Sequence, residues 1–473
     1  MDRRDFIKHS AAAVAGTSVL LSACGESSQK SKVESQKSIV ESQKTGSTGS
    51  MTMRTNPNTG DRVSLLGFGM MRLPVLAGGT ARENPDSPID QQAVNDMVDY
   101  ALAHGVNYFD TSPAYCQGES EKSTGIALSR HPRSSYYIAT KLSNFSPDTW
   151  SNAESKAMFE RSLQYLQTDY VDYLLLHGIG MSSELNGVET FYGRYMDNDI
   201  LDWLVEQKHA GRIRNLGFSY HGDIKVFDML LQWHDEGKYH WDFVQIELNY
   251  LDWNYADEIN PRNTDAVYLY EELRKRGIPA VIMEPLLGGR LAKQPDAVLR
   301  QMRKHNPELS PAAWAFRFAG TPEGVMCVLS GMTYMEHLHE NVATYSPLQP
   351  LNDDEWNFLL RLARDIYELK AIPCTACNYC MPCPYGLNIP QIFSYYNACI
   401  AEGLMPDMES RGSREFIRQR RAFLVGYDRK VPGLRQANHC IGCNHCVSHC
   451  PQRIQIPKEM QRIDRLVEQL KQL

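Results

Sequence analysis

Short apolar runs recur along the central part of the chain, separated by stretches in which apolar positions follow helical spacing, such as 90–104 and 153–166. Eight of these runs have the length and composition of buried strands. They lie at residues 65–69, 107–110, 136–141, 172–177, 213–219, 243–249, 279–285 and 325–331. This alternation of strands and helices predicts a (β/α)8 TIM barrel, and a doubly wound open sheet is the alternative, because both bury parallel strands on both faces.

Polar side chains stand where six of these runs end, and their placement favours the barrel. They are Asp110, Lys141, His177, Ser219, Asn249 and Glu284. In a barrel the carboxyl ends of all strands meet at one mouth, where the active sites of this fold are built. The pattern therefore predicts a functional site at that mouth.

The composition narrows the class of protein. The chain has 473 residues, of which 42% are hydrophobic and 22% charged, as in soluble globular proteins. These values exclude a wholly disordered chain, a collagen-like repeat and a polytopic membrane protein. The net charge of −7 argues against nucleic acid as the main partner, because phosphate binding needs a basic surface.

The first fifty residues have the pattern of an export signal followed by a tether. Arg3 and Arg4 precede an apolar run at 11–21, and the whole resembles a twin-arginine signal. The run is too short for a membrane-spanning helix, which is the weaker reading, as is a cytosolic protein with a basic start. Ser22-Ala23-Cys24 resembles a lipoprotein processing site, which predicts a lipid on Cys24 and a position on the periplasmic or cell-surface side of a membrane.

Six sequence segments between about residues 60 and 345 resemble the aldo-keto reductase family. These are GVNYFDTSPAY at 105–115, IATK at 138–141, DYLLLH at 172–177, GFSY at 217–220, VQIELN at 244–249 and EN at 340–341. The resemblance implies a barrel enzyme that uses NADP or NAD and acts on a small carbonyl or alcohol substrate. Four residues match the family's catalytic tetrad in order and spacing: Asp110, Tyr115, Lys141 and His177.

The chemistry of these four residue types is consistent with carbonyl reduction. Hydride addition leaves an alkoxide that needs a proton, and the phenol of Tyr115 is the expected acid. The ammonium of Lys141 would lower the phenol pKa, and Asp110 would hold that ammonium in place. His177 would orient the substrate oxygen.

The resemblance also implies a cofactor site on the later strands. Ser219, Gln245 and Asn249 would face the nicotinamide. The nucleotide end would be lined by Ser330, Gly331, Glu340 and Asn341. Gly331 and His337 stand where NADPH-preferring members place a lysine and an arginine, so the choice between NADP and NAD stays open.

Two dense cysteine runs near the C-terminus predict metal binding. They are Cys374, Cys377, Cys380 and Cys383 before Pro384, and Cys440, Cys443, Cys446 and Cys450 before Pro451. The second run has the spacing of bacterial ferredoxins, and the first is one residue short before its last cysteine. We therefore predict two 4Fe-4S clusters, with Cys450 completing the first set of three ligands and Cys383 the second. Zinc is the main alternative, and a disulfide framework a weaker one.

These features predict an exported oxidoreductase with five segments. They are a signal peptide (1–23), a lipidated tether (24–50), the barrel (51–350), a helical linker (351–372) and a mainly helical ferredoxin-like domain (373–473), with helices expected at 353–369, 389–403, 413–423 and 458–470. Nicotinamides move electron pairs whereas clusters move single electrons, so coupling them would need an intermediary such as a flavin, or else the clusters are structural. The alternative function is an electron relay or partner-binding protein that serves a redox protein or a quinol.

Overall fold

The computed structural model describes residues 49–81, 83–181, 186–258, 263–368, 371–374, 376, 378–450, 452 and 454–473. The predicted signal peptide, Cys24 and nearly all of the tether lie outside the described residues, as does Cys377. Residues Ser50–Leu473 form one compact unit. No helix among the residues described here is long and apolar enough to cross a membrane.

A closed barrel of eight parallel strands forms the centre of this unit, as predicted. A two-stranded antiparallel hairpin, β1 (Met53–Thr55) and β2 (Arg62–Ser64), precedes it. The barrel strands are β3 (Leu66–Gly69), β4 (Tyr108–Asp110), β5 (Tyr137–Leu142), β6 (Val171–Ile179), β7 (Ile213–Tyr220), β8 (Phe243–Glu247), β9 (Ala280–Met283) and β10 (Val325–Gly331). They pair in chain order, and β10 closes the ring against β3.

Two strands end earlier than their apolar runs indicated. β8 ends at Glu247, and β9 ends at Met283. Glu284 has a φ of 53°, in the left-handed region, so the backbone cannot continue as a strand there. Asn249 and Glu284 therefore lie in loops just beyond the strand ends.

The amino-terminal hairpin was not predicted, because its strands have only three residues each. It packs at the amino-terminal end of the barrel strands. Nδ2 of Asn56 lies 3.1 Å from Oδ1 of Asn215 on β7 and 3.3 Å from the Tyr173 hydroxyl on β6. Asn56 and Asn215 are fully buried, so these bonds satisfy polar groups that would otherwise be costly to bury.

Helices surround the barrel. They are α1 (Gln91–Ala103), α2 (Ser120–Leu128), α3 (Asn152–Leu166), α4 (Gly187–Phe191), α5 (Ile200–His209), α6 (Ile224–Asp235), α7 (Asp252–Tyr255), α8 (Ala266–Lys275), α9 (Asp296–His305), α10 (Pro311–Gly320) and α11 (Met335–Thr344). The side chains of Asp90 and Ser151 cap the amino-terminal ends of α1 and α3 and accept hydrogen bonds from backbone N–H groups. These caps explain why both helices begin within two residues of their predicted starts.

Alternation along the strands separates an inner core from an outer one. Tyr108, Ala139, Leu175 and Phe243 belong to the core that fills the barrel. Neighbouring residues such as Phe109 instead pack with the surrounding helices. Successive residues of a strand point to opposite faces, so a residue two positions beyond an inner one also faces the barrel interior. By this rule Asp110, Lys141, His177 and Gln245 face inward at the carboxyl ends.

A long helix, α12 (Asp353–Glu368), follows the barrel and packs against it. Trp356 stacks on Phe318 with ring centroids 4.1 Å apart, and Arg317 forms a two-pronged ion pair with Glu355. Because these contacts combine aromatic burial with a largely buried bidentate pair, α12 is firmly attached to the barrel.

The C-terminal region has a separate hydrophobic core. Its helices are α13 (Ile389–Ala401), α14 (Arg414–Lys430), α15 (His445–Ser448) and α16 (Ile456–Gln472). Phe393, Phe423 and Met460 are completely buried in this core. α14 continues seven residues beyond its predicted end, because Tyr427 lies one turn past Phe423 on the same buried face.

Candidate functional site

A buried ion pair lies at the carboxyl end of the barrel. Nζ of Lys141 on β5 donates to Oδ1 of Asp110 at 2.6 Å and to the backbone carbonyl of Thr111 at 2.9 Å. The side chains of both charged residues are almost completely buried. Burial lowers the pKa of Lys141 and raises that of Asp110, and the charge of each partner opposes the shift of the other. The two side chains thus form a buried ion pair at the mouth of the barrel.

Tyr115 and His177 stand beside this ion pair. The Lys141 ammonium lies 4.8 Å from the centre of the Tyr115 ring. The rings of Tyr115 and His177 meet edge to face with their centroids 5.9 Å apart. Tyr115 is half-buried in the loop after β4. The structure therefore brings together all four residues proposed for the tetrad, although they are up to 67 positions apart in the sequence.

Two serines hold the His177 ring. Nδ1 lies 2.6 Å from the Ser143 hydroxyl and 3.3 Å from the Ser112 hydroxyl, and Nε2 makes no hydrogen bond with any described residue. Burial, reinforced by the positive charges of Lys141 and Arg194, holds the pKa of His177 well below its usual value. The ring is consequently neutral near pH 7. The sequence signal for Ser143 was its position two residues after Lys141, on the same side of the chain.

A buried arginine supports the strand end that carries His177. The pairing of β6 with β7 loses its register between Leu176 and Ile179. Arg194 donates from Nη2 to the carbonyl of His177 at 2.6 Å and from Nη1 to that of Gly178 at 3.4 Å. These bonds satisfy carbonyls at the irregularity. No local pattern pointed to Arg194, which lies in the helical turn that follows α4, between β6 and β7.

A second buried carboxyl lies behind the lysine. Oε1 of Glu121 on α2 accepts a hydrogen bond of 2.5 Å from the hydroxyl of Thr140, the residue before Lys141. Burial raises the pKa of Glu121 to about 7, while Thr140 and the charge of Lys141 oppose this shift. Glu121 therefore changes charge within the neutral pH range, next to the strand that carries the lysine.

Three residues were predicted to face a nicotinamide, and their surroundings differ. The Ser219 hydroxyl accepts a hydrogen bond from the Gly178 N–H. Gln245 is buried, and its Oε1 has no hydrogen-bond partner among the described residues. The side-chain amide of Asn249 is occupied by protein groups, since it donates to Asp252 in its own loop and to the Glu284 carbonyl in the loop after β9, and accepts from two backbone N–H groups. The geometry of Asn249 thus gives no support to its predicted cofactor contact.

The predicted nucleotide end lies at the end of β10 and on α11. The Asn341 amide donates to the Ser330 hydroxyl at 2.9 Å, so these two residues are adjacent. Glu340 instead accepts a hydrogen bond from Ser310, the cap of α10. The side chain of Arg72 lies against Gly331, where even a Cβ atom would come within 3.0 Å of it. Arg72 is a cation near this end that the sequence patterns did not single out.

The second cysteine group consists of Cys383 from the first run and Cys440, Cys443 and Cys446 from the second run. The Cys446 thiol lies within electrostatic reach of Cys440, Cys443 and Cys383, and burial together with these neighbours raises its pKa to about 11. Four neighbouring thiols are a ligand set that a metal centre can use once each has lost its proton. The grouping has the crossed arrangement of two-cluster ferredoxins, with Cys383 joining the later run.

The first cysteine group combines Cys374 and Cys380 from the first run with Cys450 from the second run. An apolar cavity is lined by Cys374, Cys380 and Cys450, with Ile389, Phe393 and Ile456 around them. The N–H of Ala376 lies 3.4 Å from the Cys374 sulfur, a contact of the kind that tunes cluster potentials. Ala376 and Asn378 both have left-handed backbones, which curl this loop around the cavity.

The arrangement of the cysteines along the chain favours a cluster over zinc. Each run has four cysteines followed directly by proline, as in ferredoxins. A structural zinc site usually needs only two Cys-x2-Cys pairs.

Comparisons with known proteins agree with this division of the chain. Residues 66–363, more than half of the chain, match the model of the aldo/keto reductase family. Residues 373–456 match the model of a 4Fe-4S dicluster domain. The fold of residues in the barrel resembles that of an aldo-keto reductase from Bacillus halodurans in its holo form, with a TM-score of 0.51 at 23% identity, covering 66% of this chain and 96% of that one.

Two curated relatives are dehydrogenases. L-galactose dehydrogenase of Arabidopsis thaliana is 26% identical over 322 residues, which cover 64% of this chain and 91% of the relative. D-arabinose 1-dehydrogenase of Saccharomyces cerevisiae is 31% identical over 157 residues, which cover 31% of this chain and 42% of the relative. The chain thus belongs to the aldo/keto reductase family of oxidoreductases and carries a C-terminal 4Fe-4S domain.

Proposed function

We propose that the barrel interconverts a small carbonyl compound and its alcohol by hydride transfer with a nicotinamide cofactor. The observation that carries the proposal is the buried Lys141–Asp110 ion pair beside the Tyr115 ring, with neutral His177 at its edge. A cation next to a phenol stabilises the phenolate and so makes the phenol a better acid. This arrangement is suited to moving one proton to or from an oxygen atom.

A bound nicotinamide would supply or accept the hydride. In the reducing direction, the Tyr115 hydroxyl donates its proton to the substrate oxygen as hydride adds to the carbonyl carbon, and the phenolate then regains a proton from water. When the Ser143 hydroxyl donates to Nδ1 of His177, the ring proton resides on Nε2. Nε2 can then donate a hydrogen bond to the same substrate oxygen and orient it.

Two features of the barrel support nicotinamide as the cofactor. Gln245 is only 2% exposed and has an acceptor oxygen without a partner among the described residues, and the carboxamide of a nicotinamide offers an N–H donor. At the other end, the Ser330–Asn341 pair and the Arg72 side chain provide donors and a positive charge for a nucleotide. Arg72 is our candidate contact for a cofactor phosphate.

Sugars are the substrate class that we propose to test first. The two dehydrogenases described above are named for L-galactose and D-arabinose, and the first aligns along 91% of its length. A polyhydroxylated substrate also suits a site whose polar groups include Ser112, Ser143 and His177.

We further propose that the C-terminal domain holds two clusters and that they carry electrons. The two crossed cysteine groups support this number, with Cys377 assigned to the first group from its spacing alone. The one-electron chemistry of such clusters does not match hydride transfer, so direct coupling would need an intermediary, for which a flavin is our candidate. Export by the twin-arginine route and a lipid on Cys24 complete the proposal on the pattern of residues 1–24.

The decisive experiment replaces Tyr115 with Phe in anaerobically purified protein. Wild-type protein is assayed with NADP(H) and NAD(H) against L-galactose, D-arabinose and short aldehydes, and its iron and sulfide are counted. We expect about eight of each per chain, as two clusters require. Because the variant lacks the acid, its kcat should fall by about 100-fold or more, with little change in nucleotide affinity.

The matched control is Tyr165→Phe, which removes a hydroxyl from the outer helix α3 and should leave kcat unchanged. Full activity of Tyr115→Phe would refute the proton-transfer role. If the wild-type protein turned over no carbonyl or alcohol but its clusters exchanged electrons with a quinol or a redox protein, the chain would instead be an electron relay.

A further inference from the structure

A strongly basic surface lies in the C-terminal domain of this acidic chain. Residues 411–435 contain eight Arg and Lys residues and two Asp and Glu residues, whereas the whole chain has a net charge of −7. Arg421, Arg429, Lys430 and Arg435 are exposed, and none forms an ion pair with a described residue. Their charge is therefore available to a partner.

Aliphatic side chains interrupt this basic surface. Ile417 and Val425 on α14 are 55% and 42% exposed, and Arg421 lies midway between them at helical spacing, on the same side of the helix. Leu434 and Ile441, in the segment that follows, are 82% and 63% exposed. Exposed aliphatic residues grouped with unpaired charges are typical of a surface that meets another protein.

The same segment connects α14 to the second cysteine group. The hydroxyl of Tyr427 accepts a hydrogen bond from the Ala437 N–H at 3.0 Å, and the His439 ring lies 3.1 Å from the Gly433 carbonyl. These bonds hold residues 431–439 against the last turn of α14, immediately before Cys440. Cys443, in the same group, is itself exposed. We name the exposed residues of α14 and of the segment 431–443 the basic face.

We propose that the basic face docks an acidic electron-carrier protein, which exchanges single electrons with the centre held by Cys383, Cys440, Cys443 and Cys446. The proposal rests on the proposed function in one respect, that this centre is redox-active. In each encounter the reduced carrier loses one electron and the centre gains one, so no proton or bond needs to move. An exposed ligand at the docking surface shortens the path of that electron.

Charge and shape favour an acidic protein over other occupants. A second copy docking through the same face would bring like charges together, which is unfavourable. A membrane-binding helix needs a broad apolar face, whereas α14 turns its aromatic residues Phe416, Phe423 and Tyr427 into the domain core. The remaining patch of isolated aliphatics and arginines resembles the small, transient interfaces of electron-transfer complexes.

The test uses the full-length, cluster-loaded protein with reduced flavodoxin, an acidic electron carrier, as the probe. The variant Arg421→Glu/Arg435→Glu reverses two charges on the basic face. Its second-order rate of cluster reduction by flavodoxin should fall by about tenfold or more at low salt, and the salt dependence of that rate should flatten. Its reduction by dithionite, a small reagent that needs no docking surface, should not change.

Lys458→Glu/Arg465→Glu is the matched control, because it reverses two exposed charges on α16 in the same domain. The control variant should react with flavodoxin at the wild-type rate. Isothermal titration with oxidised flavodoxin provides a second readout that does not depend on electron transfer, and only the basic-face variant should lose measurable binding.

Equal rates for the wild type and the basic-face variant, or an equal loss in the control, would overturn the proposal. Charge-dependent binding to phosphatidylglycerol vesicles, with flavodoxin rates unaffected, would overturn it in favour of a membrane. Failure of the proposed barrel chemistry would appear separately, as absent carbonyl turnover in protein whose clusters dithionite still reduces.

Discussion

The barrel mouth and the cysteine domain hold their reactive groups in different ways. At the mouth, Lys141, Asp110 and His177 are buried and bonded to one another or to backbone and hydroxyl groups. In the cysteine domain, Cys374, Cys380 and Cys450 line a cavity, and several of the cysteines are partly exposed. The first site is therefore held by contacts among protein groups, whereas we expect a bound centre to stabilise the second further.

The difference has a physical basis in the size of the two cores. The barrel buries an extensive outer core around its strands and a second core inside them, so it can support the cost of a buried ion pair. The helical domain has a much smaller core and gains stability from metal coordination. The comparison predicts that metal removal will destabilise mainly the C-terminal domain. Substitution of the buried ion pair will destabilise mainly the barrel.

Iron removal should have the largest effect, and it should be confined to the C-terminal domain. Chelation with oxidation should make residues from about 371 onward sensitive to trypsin, because ligand binding contributes directly to folding in small metal domains. All seven tryptophans lie between Trp150 and Trp356, so their fluorescence reports on the barrel and α12. The urea midpoint of this fluorescence should stay unchanged, and a large decrease would show that the two regions are not independent.

Removal of the buried cation should have the next largest effect, in the barrel alone. Lys141→Met leaves the Asp110 carboxylate buried without its counter-charge, which should destabilise the barrel by about 3–5 kcal/mol. The measurement is urea unfolding followed by tryptophan fluorescence. The double variant Lys141→Met/Asp110→Asn should recover most of this loss, because it removes the unpaired charge.

A solvent-exposed ion pair provides the control for this experiment. Arg212→Met breaks the pair with Glu160, whose side chain is 53% exposed, and should cost no more than about 1 kcal/mol. A single-variant loss at Lys141 as small as that at Arg212 would contradict the view that the mouth depends on its internal charges.

The smallest expected effect is a pH dependence from Glu121. Its pKa rises from 4.5 to about 7 on folding. The folded protein thus keeps a proton that the unfolded chain has released, so stability should fall as pH rises from about 4.5 to about 7 and then level off. The decrease should be at most about 3 kcal/mol. Glu121→Gln should reduce the difference between urea midpoints at pH 5 and pH 8, and an unchanged difference would exclude Glu121 as its source.

Most of the fold could be predicted from local pattern. The eight strand runs and the helices at 90–104 and 153–166 correspond to observed elements, because burial on alternating or helical positions is written directly into the order of residues. The β1–β2 hairpin was missed because three-residue strands carry too little periodicity. The early end of β9 was missed because the left-handed backbone at Glu284 has no signal in a non-glycine residue.

The candidate site was predictable only in part. Tyr115, Lys141 and the cysteines stand in local motifs, whereas Arg194, Glu121 and Arg72 reach their positions through packing of distant segments. The cofactor contact that the resemblance implies for Asn249 stays a prediction, but the sequence could not show that its amide bonds to Asp252, to the Glu284 carbonyl and to two backbone N–H groups. Whether a polar side chain is available to a ligand depends on its hydrogen-bond partners, and these partners can be distant in the sequence.

The order of residues by itself determined the alternation of strands and helices and the spacing of the thiols. It also determined that an acid, a cation and an imidazole stand at strand ends. Each of these features depends only on neighbours within a few positions. Only the tertiary structure decided which groups meet. Closure of the barrel buries Lys141 against Asp110, and crossing of the two cysteine runs places Cys383 with the later run. Burial and charge act through space, so their consequences for proton affinity and metal binding arise only when the chain has folded.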